Sequence, residues 1–351
     1  MRFYVSTYTE GFFGEGPNGS EGIYLCDYNE SNNEFTVLDS FSNSVNPSFI
    51  RLSKDRKNLF VACEKLPPSF LTSYAVDDEG RLKLCDSIRL DDFRSCCYMS
   101  VDSERNFVAV ANYGTGEVFT YLLDDEGRYG KLISSFRNDD SEIGPNTDRQ
   151  ELPHAHSIRL IEALDTYVAC DLGCDKISFY SHREDGTLES AKISNLKTAP
   201  GYGPRHTCNS IDGRFLYVTC ELSNMVLFYE LVDGQYVLRQ EISSLPEGAD
   251  KENTCADIHI SKDNRYVFVS NRGSDNIVQY RVMEDGKLEM LCDIACGGQG
   301  PRSFVLCDDI IICANQDSGN VSILELKDGI MTGNILSNHD FVSPVCIEIF
   351  E

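Results

Sequence analysis

The residues best suited to chemistry are a histidine, a glutamate and three arginines that stand at the ends of short apolar runs. They are His154, Arg205, Glu221, Arg272 and Arg302. An arginine guanidinium is permanently charged and donates two parallel hydrogen bonds, which suits phosphate, carboxylate or a developing oxyanion. A nearby histidine or glutamate could remove a proton from water. This set predicts hydrolysis of an anionic ester or lactone, and a serine nucleophile is not indicated because the Gly-x-Ser-x-Gly motif is missing.

The elements that position Arg205 and Glu221 are clearest in residues 203–229, GPRHTCNSIDGRFLYVTCELSNMVLFY. One strand opens at Arg205, a second runs over Phe215–Cys220 and ends at Glu221, and a third starts at Met225. Antiparallel pairing places the start of the first strand beside the end of the second. Arg205 and Glu221 are therefore predicted to be neighbours at one end of a sheet, with the turn at Asp212-Gly213 at the other end.

The same unit recurs along the chain at intervals of roughly 45 to 55 residues, the length expected of a β-propeller blade. Six copies begin near Pro47, Cys97, Pro153, Gly203, Ala256 and Gly300. A seventh copy is divided between the chain ends, with its first strand in residues 343–349 and the next two in 1–8 and 22–28. The pattern predicts an all-β, seven-bladed β-propeller of four-stranded antiparallel blades. We expect residues 1–351 to form a single domain, a ring closed by the N- and C-terminal strands.

Polar residues recur where the second strand of each blade ends. The predicted ring consists of Thr7, Glu64, Asn112, Asp171, Glu221, Asn271 and Asn315, with Arg272 and Gln316 directly after two of its members. The starts of the first strands add Asn46, His154, Arg205, Asp257 and Arg302. A single polar residue at a strand end is usually a hydrogen-bonded turn residue. Repetition in every blade instead predicts one shared mouth of a central channel, with Arg302, Asn271, Gln316, His206 and Asp171 binding substrate.

Side-chain alternation separates the histidines into two groups. His154 and His156 are two residues apart beside the strand start, and we expect only His154 to line the pocket unless that start is irregular. His156 is predicted to be a packing or supporting group. His206 directly follows Arg205 and is expected to turn away from it, although a direct contact with substrate remains open.

Charge and cysteine content exclude several classes of protein. The net charge of −25 repels phosphate backbones and anionic membranes, so we expect neither nucleic acid nor membrane partners. Fifteen cysteines occur mostly inside strand patterns and no Cys-x-x-Cys spacing is present, which favours reduced, buried thiols without a metal or cofactor. The chain opens on a strand without a signal-peptide pattern, and we therefore expect a cytoplasmic protein.

One long polar connection, residues 138–152 (NDDSEIGPNTDRQEL), enters directly on Pro153-His154. It could be a mobile lid over the mouth or an ordinary surface connection, and the sequence leaves both open.

Several motifs resemble the lactonase family of seven-bladed propellers, which includes propeller-type 6-phosphogluconolactonases and the fungal carboxymuconate-lactonizing enzyme. The motifs are PHAHSI, DLGCDKI, GYGPRHTCNSIDGRFLYVTCEL, ADIHISKDNRYVFVSNRGSDNI and GQGPRSF with ANQDSGNV. The resemblance implies that His154, Arg205, Glu221 and Arg272 form the catalytic group.

The expected activity is hydrolysis of 6-phosphoglucono-1,5-lactone to 6-phosphogluconate in the pentose phosphate pathway. In this interpretation the substrate is a small anionic sugar lactone, held by Arg272 and Arg302. Arg205 stabilises the oxyanion, and His154 or Glu221 activates water. Two alternatives remain open: a cycloisomerase that closes a muconate to a lactone, and a non-catalytic propeller that binds a sugar acid or a protein segment.

Overall fold

The computed structural model describes residues 1–10, 19–65, 68–93, 95–246 and 252–351. Its strands form seven antiparallel sheets arranged as the blades of a ring, which confirms the predicted all-β propeller. Within these ranges, helix is limited to two short 3-10 turns, Asp140–Glu142 and Glu162–Leu164. No helix in the described ranges is long and apolar enough to cross a membrane.

The strands follow one another in chain order, and each blade is named by the order in which its first strand occurs. The first three strands are β1 (Arg2–Thr7), β2 (Ile23–Asn29) and β3 (Glu34–Phe41). Blade 1 contains β4 (Pro47–Leu52), β5 (Asn58–Cys63), β6 (Ser69–Val76) and β7 (Leu82–Leu90). Blade 2 contains β8 (Cys96–Asp102), β9 (Phe107–Asn112), β10 (Glu117–Leu123) and β11 (Tyr129–Arg137).

Blade 3 contains β12 (Ala155–Ile161), β13 (Thr166–Asp171), β14 (Lys176–His182), β15 (Leu188–Ser190) and β16 (Leu196–Lys197). Blade 4 contains β17 (Pro204–Asn209), β18 (Phe215–Cys220), β19 (Met225–Val232) and β20 (Gln235–Ser243). Blade 5 contains β21 (Thr254–Ile260), β22 (Tyr266–Arg272), β23 (Asn276–Val282) and β24 (Leu288–Ala295). Blade 6 contains β25 (Pro301–Leu306), β26 (Ile310–Asn315), β27 (Asn320–Lys327) and β28 (Ile330–Asp340).

Blade 7 joins the two ends of the chain. The last strand, β29 (Pro344–Ile349), pairs with β1, and the sheet order β29-β1-β2-β3 reproduces the predicted closure. The Arg2 backbone N–H also donates to the carbonyl of Glu351 at 2.9 Å. Closing the ring in this way pairs strand edges that would otherwise be open.

The burial of the strands follows their distance from the channel. Inner strands are covered on both faces by neighbouring blades and are nearly continuous apolar runs, as in β9, whose six residues are all buried. Outer strands face solvent on one side and alternate, as in β3. All fifteen cysteines are free thiols, and twelve of them are buried.

The first strands line the channel, because they contact one another around the ring. The Ser157 hydroxyl of blade 3 donates to the Arg205 carbonyl of blade 4 at 2.7 Å. Arg51 of blade 1 pairs with Glu348 of blade 7 at 2.6 Å. We call the end where these strands start the near mouth and the end where they finish the far mouth.

Each first strand carries a β-bulge close to the near mouth. In blade 4, Pro204 pairs with Cys220 and His206 with Thr219, so Arg205 has no partner across the ladder. The corresponding register shift recurs in all seven blades. The single unpaired residues of the other blades are Ser48, Cys97, His156, Arg302 and Val345. In blade 5 two residues, Ala256 and Asp257, lie opposite Ser270. A bulge breaks the strict alternation of side chains and redirects one of them.

The Gly-Pro-Arg sequence of blades 4 and 6 is explained by this geometry. Gly203 and Gly300 have φ of +64° and +67°, in the left-handed region that favours glycine. A Cβ on Gly203 would also lie 2.6 Å from the Leu222 side chain. Proline then opens the strand, and the arginine occupies the bulge at the channel. The motif thus fixes a backbone shape that presents Arg205 and Arg302.

Candidate active site

The residues that share the near mouth stand one position beyond most members of the predicted ring. In six blades the residue after the second strand donates its backbone N–H to a backbone carbonyl at the start of the first strand. These residues are Tyr8, Glu64, Tyr113, Leu172, Glu221 and Gln316. In blade 5 the equivalent residue is Arg272, which pairs with Thr254. The prediction placed Glu64 and Glu221 correctly. In the other five blades it selected the residue before the one that occupies the equivalent place.

Glu221 lies at the centre of a charged cluster. Its Oε2 is 2.9 Å from Arg205 Nε and 3.0 Å from Arg272 Nη2, and its Oε1 is 2.6 Å from Arg149 Nη2. The His156 Nε2 atom lies 3.8 Å from Oε2. The predicted proximity of Arg205, Glu221 and Arg272 is confirmed, and the elements that bring them together are the ends of β17, β18 and β22.

Three guanidinium groups control the charge of this carboxylate. Burial would raise the pKa of Glu221, but the charges of Arg272, Arg205 and Arg149 outweigh it and hold the pKa well below the usual range. Burial, followed by the charge of Arg205, lowers the pKa of His156 well below its usual range, so this imidazole is neutral at pH 7. Glu221 is therefore a permanent anion at neutral pH, and its neighbour His156 adds no positive charge.

Several polar atoms of the cluster have no aligned hydrogen bond, although they are buried. They include Arg205 Nε, Glu221 Oε2, Arg272 Nε and His154 Nε2. Arg205 Nε and Glu221 Oε2 are close together but are not aligned for a hydrogen bond. Buried polar groups are normally satisfied, and exceptions concentrate at sites that bind water or ligand. Their grouping at the near mouth marks a place where an incoming polar molecule would gain hydrogen bonds.

Arg205 is the most buried of the arginines and is held on its other side by blade 5. Its Nη1 donates to the Ala256 carbonyl at 2.7 Å and lies 3.2 Å from His206 Nε2. Burial, followed by the charge of Arg272, lowers its pKa to about 10, which leaves it protonated at neutral pH. The expectation that His206 turns away from Arg205 was wrong, because the bulge at Arg205 removes the alternation on which it rested.

His206 connects this cluster to Asp257. Its Nδ1 lies 2.9 Å from Asp257 Oδ1, and Asp257 Oδ2 lies 3.2 Å from His259 Nε2. Burial and the charge of Arg205 lower the pKa of His206 to about 4. His206 is thus a neutral, hydrogen-bonded support beneath Arg205.

A second, smaller cluster surrounds Glu64 at the same mouth. Arg302 Nη2 lies 3.2 Å from Glu64 Oε2, and the Tyr8 hydroxyl donates to the same oxygen at 2.5 Å. Arg302 Nη1 is 3.5 Å from Gln316 Oε1, and its guanidinium lies over the Tyr8 ring. Arg302 and Gln316 therefore contact each other beside Glu64, and their binding of substrate stays a prediction.

His154 and His156 both pack on Tyr113. The His154 ring stacks on the Tyr113 ring with centroids 4.2 Å apart, and His156 meets its edge at 5.4 Å. His154 Nδ1 lies 2.7 Å from the Tyr113 carbonyl, and Glu151 Oε1 is 3.3 Å from Nε2. His156, which the alternation argument placed behind the pocket, lies nearer to Glu221, because it occupies the bulge of blade 3.

Asp171 and Asn271 lie within their blades rather than at the mouth. Asp171 accepts from the backbone of His154 and Cys174 and from Asn138 Nδ2 at 2.7 Å. Asn271 donates to the Ser244 carbonyl at 2.7 Å and to Asn276 Oδ1 at 3.0 Å. These bonds engage both side chains in holding connections, so their predicted contact with substrate has no support in the described residues.

Arg149 was missed by sequence reasoning. It belongs to the polar connection 138–152, and its Nη2 contacts both Glu221 Oε1 and the Tyr113 hydroxyl, the latter at 3.3 Å. Its side chain remains 39% exposed, more than those of Arg272 and Arg302 at 19% and 16%. The available signal was a lone arginine in a polar connection that ends on the mouth, which periodicity cannot distinguish from a solvated surface residue.

Comparison with known proteins assigns the chain to a family. The model of the family described as "Lactonase, 7-bladed beta-propeller" matches residues 2–349. The chain belongs to the lactonase family. The match extends over all seven blades.

Individual relatives agree with this assignment. The chain is 30% identical to the 6-phosphogluconolactonase of Bacillus subtilis over 98% of this chain and 97% of that protein. The chain is similar to the solved structure of a periplasmic gluconolactonase from Pseudomonas aeruginosa, with a TM-score of 0.89, 26% identity and 99% of each chain covered. A protein from Lactobacillus plantarum shares the fold, with a TM-score of 0.89, 23% identity and coverage of 99% and 98%.

Proposed function

We propose that this lactonase hydrolyses 6-phosphoglucono-1,5-lactone to 6-phosphogluconate. The observation that carries the proposal is the excess of positive charge at the near mouth of a strongly acidic protein. Arg149, Arg205, Arg272 and Arg302 stand there against two buried carboxylates, Glu64 and Glu221. Such a concentration of positive charge attracts an anionic substrate, and the relative from Bacillus subtilis carries the name of this activity.

The arginines divide by exposure into two roles. Arg149, Arg272 and Arg302 have side chains that solvent can reach, so they are the groups that would receive the phosphate and the ring hydroxyls. Arg205 is 2% exposed and fixed by Glu221 and the Ala256 carbonyl. A guanidinium held so rigidly suits the developing oxyanion, since preorganised donors lower the barrier without reorganising.

His154 is the better of the two candidate bases. The Tyr113 carbonyl, 2.7 Å from Nδ1 of His154, can only accept a hydrogen bond, so in the neutral imidazole this contact favours the proton on Nδ1 and a lone pair on Nε2. Nε2 is buried and makes no aligned hydrogen bond in the described part of the chain, and the half-exposed Glu151 carboxylate lies 3.3 Å from it. Glu221, by contrast, is an anion stabilised by three arginines and is correspondingly a weak base. Glu221 then serves to orient Arg149, Arg205 and Arg272.

In the proposed reaction His154 removes a proton from water as the oxygen attacks the lactone carbonyl carbon. Arg205 stabilises the resulting oxyanion. The ring C–O bond then breaks, the ring oxygen takes up the proton from His154, and the open-chain acid is released. At neutral pH the acid loses one proton to solvent, so turnover can be followed as acid release.

The experiment measures acid release from 6-phosphogluconolactone and from unphosphorylated gluconolactone, at a pH where spontaneous hydrolysis is slow. We expect wild-type protein to prefer the phosphorylated lactone. We expect Arg149→Gln to raise KM for it about tenfold or more with little effect on the unphosphorylated one. Arg81→Gln, at an exposed arginine paired with Glu79, is the matched control.

Two further outcomes test the assignment. Wild-type rates equal to those of buffer would end the lactonase proposal. His154→Gln should lower kcat about 100-fold or more, while His156→Gln should act mainly on stability. A folded His154→Gln variant with full activity would remove His154 from the mechanism and return Glu221 as the base.

A further inference from the structure

The far mouth of the channel contains a cavity of about 340 Å³. Its walls come from the first strands of blades 1 to 5, beyond their bulges, and include Arg51, Tyr98, Ser100, Arg159, Thr207 and His259. His206 also lines it, while its ring contacts Arg205 on the other side. The cavity is therefore separated from the Glu221 cluster by the Arg205–His206 layer.

Arg159 is the distinctive residue of this cavity. One nitrogen, Nη1, donates to the Thr207 carbonyl at 2.7 Å. Within the described ranges no carboxylate lies within 4.0 Å of its guanidinium, whereas the neighbouring Arg51 is neutralised by Glu348 at 2.6 Å. In a chain with a net charge of −25, a guanidinium that borders a cavity without a carboxylate partner is a ready site for an anionic group.

Three residues with hydroxyl groups line the same cavity. Thr207 is 4% exposed, and its Oγ1 has no hydrogen-bond partner in the described part of the chain. Tyr98 and Ser100 supply two more hydroxyls to the wall. A buried hydroxyl without a partner is uncommon unless water or a ligand completes it.

The other charges of the cavity restrict the ligand. Asp257 is occupied by His206 and His259, and Glu162 stands exposed at the rim. Two carboxylates near one unpaired arginine disfavour a phosphate dianion and suit a single negative charge. They can also accept hydrogen bonds from ligand hydroxyls. The volume is at the lower end of the range for small-molecule pockets, which fits a molecule of about the size of a six-carbon sugar acid.

We propose that the far mouth binds a small hydroxylated monocarboxylate, with its carboxylate on Arg159 and its hydroxyls on Thr207, Tyr98 and Ser100. The site is distinct from the Glu221 cluster and does not depend on the reaction proposed there.

The test is calorimetric titration of the full chain with D-gluconate, and with glucitol as the analogue that lacks the carboxylate. We expect wild-type protein to bind gluconate at the far mouth and to bind glucitol at least tenfold more weakly there. Arg159→Gln should weaken that binding about tenfold to a hundredfold. Tyr98→Phe, which retains the ring against Phe49, should weaken it less. Arg81→Gln should leave it unchanged.

Arg272→Ala separates the two mouths, because it disables the Glu221 cluster and leaves the far mouth intact. Gluconate binding that survives Arg272→Ala and is lost in Arg159→Gln supports the proposal even if no lactone is hydrolysed. Binding that Arg159→Gln and Tyr98→Phe both leave unchanged, or that Arg272→Ala abolishes entirely, overturns it. Equal affinity for gluconate and glucitol also overturns it.

Discussion

Glu221 and Glu64 stand at equivalent positions of blades 4 and 1, yet their surroundings differ. Glu221 receives three arginines and retains an Oε2 atom without an aligned hydrogen bond. Glu64 receives one arginine and a tyrosine hydroxyl, both on the same oxygen. Each is almost fully buried. Fold position is the same, and the difference lies in the side chains that neighbouring blades supply.

The comparison teaches which carboxylate organises the reactive part of the mouth. Burial raises the pKa of Tyr8 well above its usual range, so its hydroxyl stays protonated and donates to Glu64. Glu64 therefore holds Arg302 in place at the near mouth, outside the Glu221 cluster. Glu221 holds several guanidinium groups that still have unused donors, which is the arrangement expected where charge develops during a reaction.

The largest expected difference between the Glu221 and Glu64 clusters is in their contribution to stability. Arg205→Ala leaves Glu221 buried with fewer partners and should lower the free energy of unfolding by about 3–5 kcal/mol. Arg302→Ala removes a partly exposed arginine and leaves Glu64 with Tyr8, so about 1–2 kcal/mol is expected. Urea denaturation followed by circular dichroism measures both. Equal losses would show that the two clusters are energetically alike.

The next difference is in activity. Glu221→Gln should lower kcat/KM about 100-fold, or about 2.7 kcal/mol, because the arginines lose the anion that orients them. Glu64→Gln should change it less than tenfold and mainly through KM. Initial rates with 6-phosphogluconolactone decide this, after circular dichroism has shown both variants to be folded. A greater loss in Glu64→Gln would reverse the assignment of the reactive centre.

Tyr8→Phe sharpens the account of Glu64. Loss of a hydrogen bond to a carboxylate should cost about 1–2 kcal/mol of stability, with kcat retained. The measurement is thermal denaturation beside steady-state kinetics. Tyr236→Phe, whose hydroxyl donates to a backbone carbonyl of blade 4, is the control for loss of a buried phenol at a distance from the mouth. A fall in kcat specific to Tyr8→Phe would place Glu64 in the reaction.

The smallest expected effect is the change in stability at acidic pH. Because the folded-state pKa of Glu221 lies below the unfolded value of about 4.3, its ionised form contributes stability that is present above that pH and lost as the pH falls below it. The difference in unfolding free energy between wild type and Glu221→Gln should therefore narrow below about pH 4.3, by no more than about 1.4 kcal/mol per pH unit. Denaturation series at pH 7 and pH 3.5 measure the difference. A gap that is constant or widens in acid would contradict the depressed pKa.

Much of the fold was predictable because it is written in repeated local signals. The Asp212-Gly213 turn and the flanking apolar runs fix the strands of blade 4, and antiparallel pairing then brings Arg205 to Glu221. The seventh blade was predictable from the same pattern, since residues 343–349 supply the strand that the N-terminus lacks.

The two misplaced histidines share one physical origin. A bulge adds a residue without disturbing the apolar pattern, so alternation placed His206 away from Arg205 and His156 away from Glu221. Five members of the predicted polar ring were placed one residue too early, because the strand ends were aligned by polarity and not by hydrogen bonding. Arg149 escaped because its position depends on the path of a connection, which no periodicity describes.

The pairing of β29 with β1 has a consequence for the order of events during synthesis. The arginines and glutamates of the near mouth come from blades 1 to 6, but the circle that holds them opposite one another is complete only when residues 344–349 leave the ribosome. A nascent chain stopped before that point would carry every residue of the cluster and still lack a closed channel. Competence for chemistry should therefore be acquired in one late step, and a chain shortened by its last strand should be inactive despite an untouched set of reactive side chains.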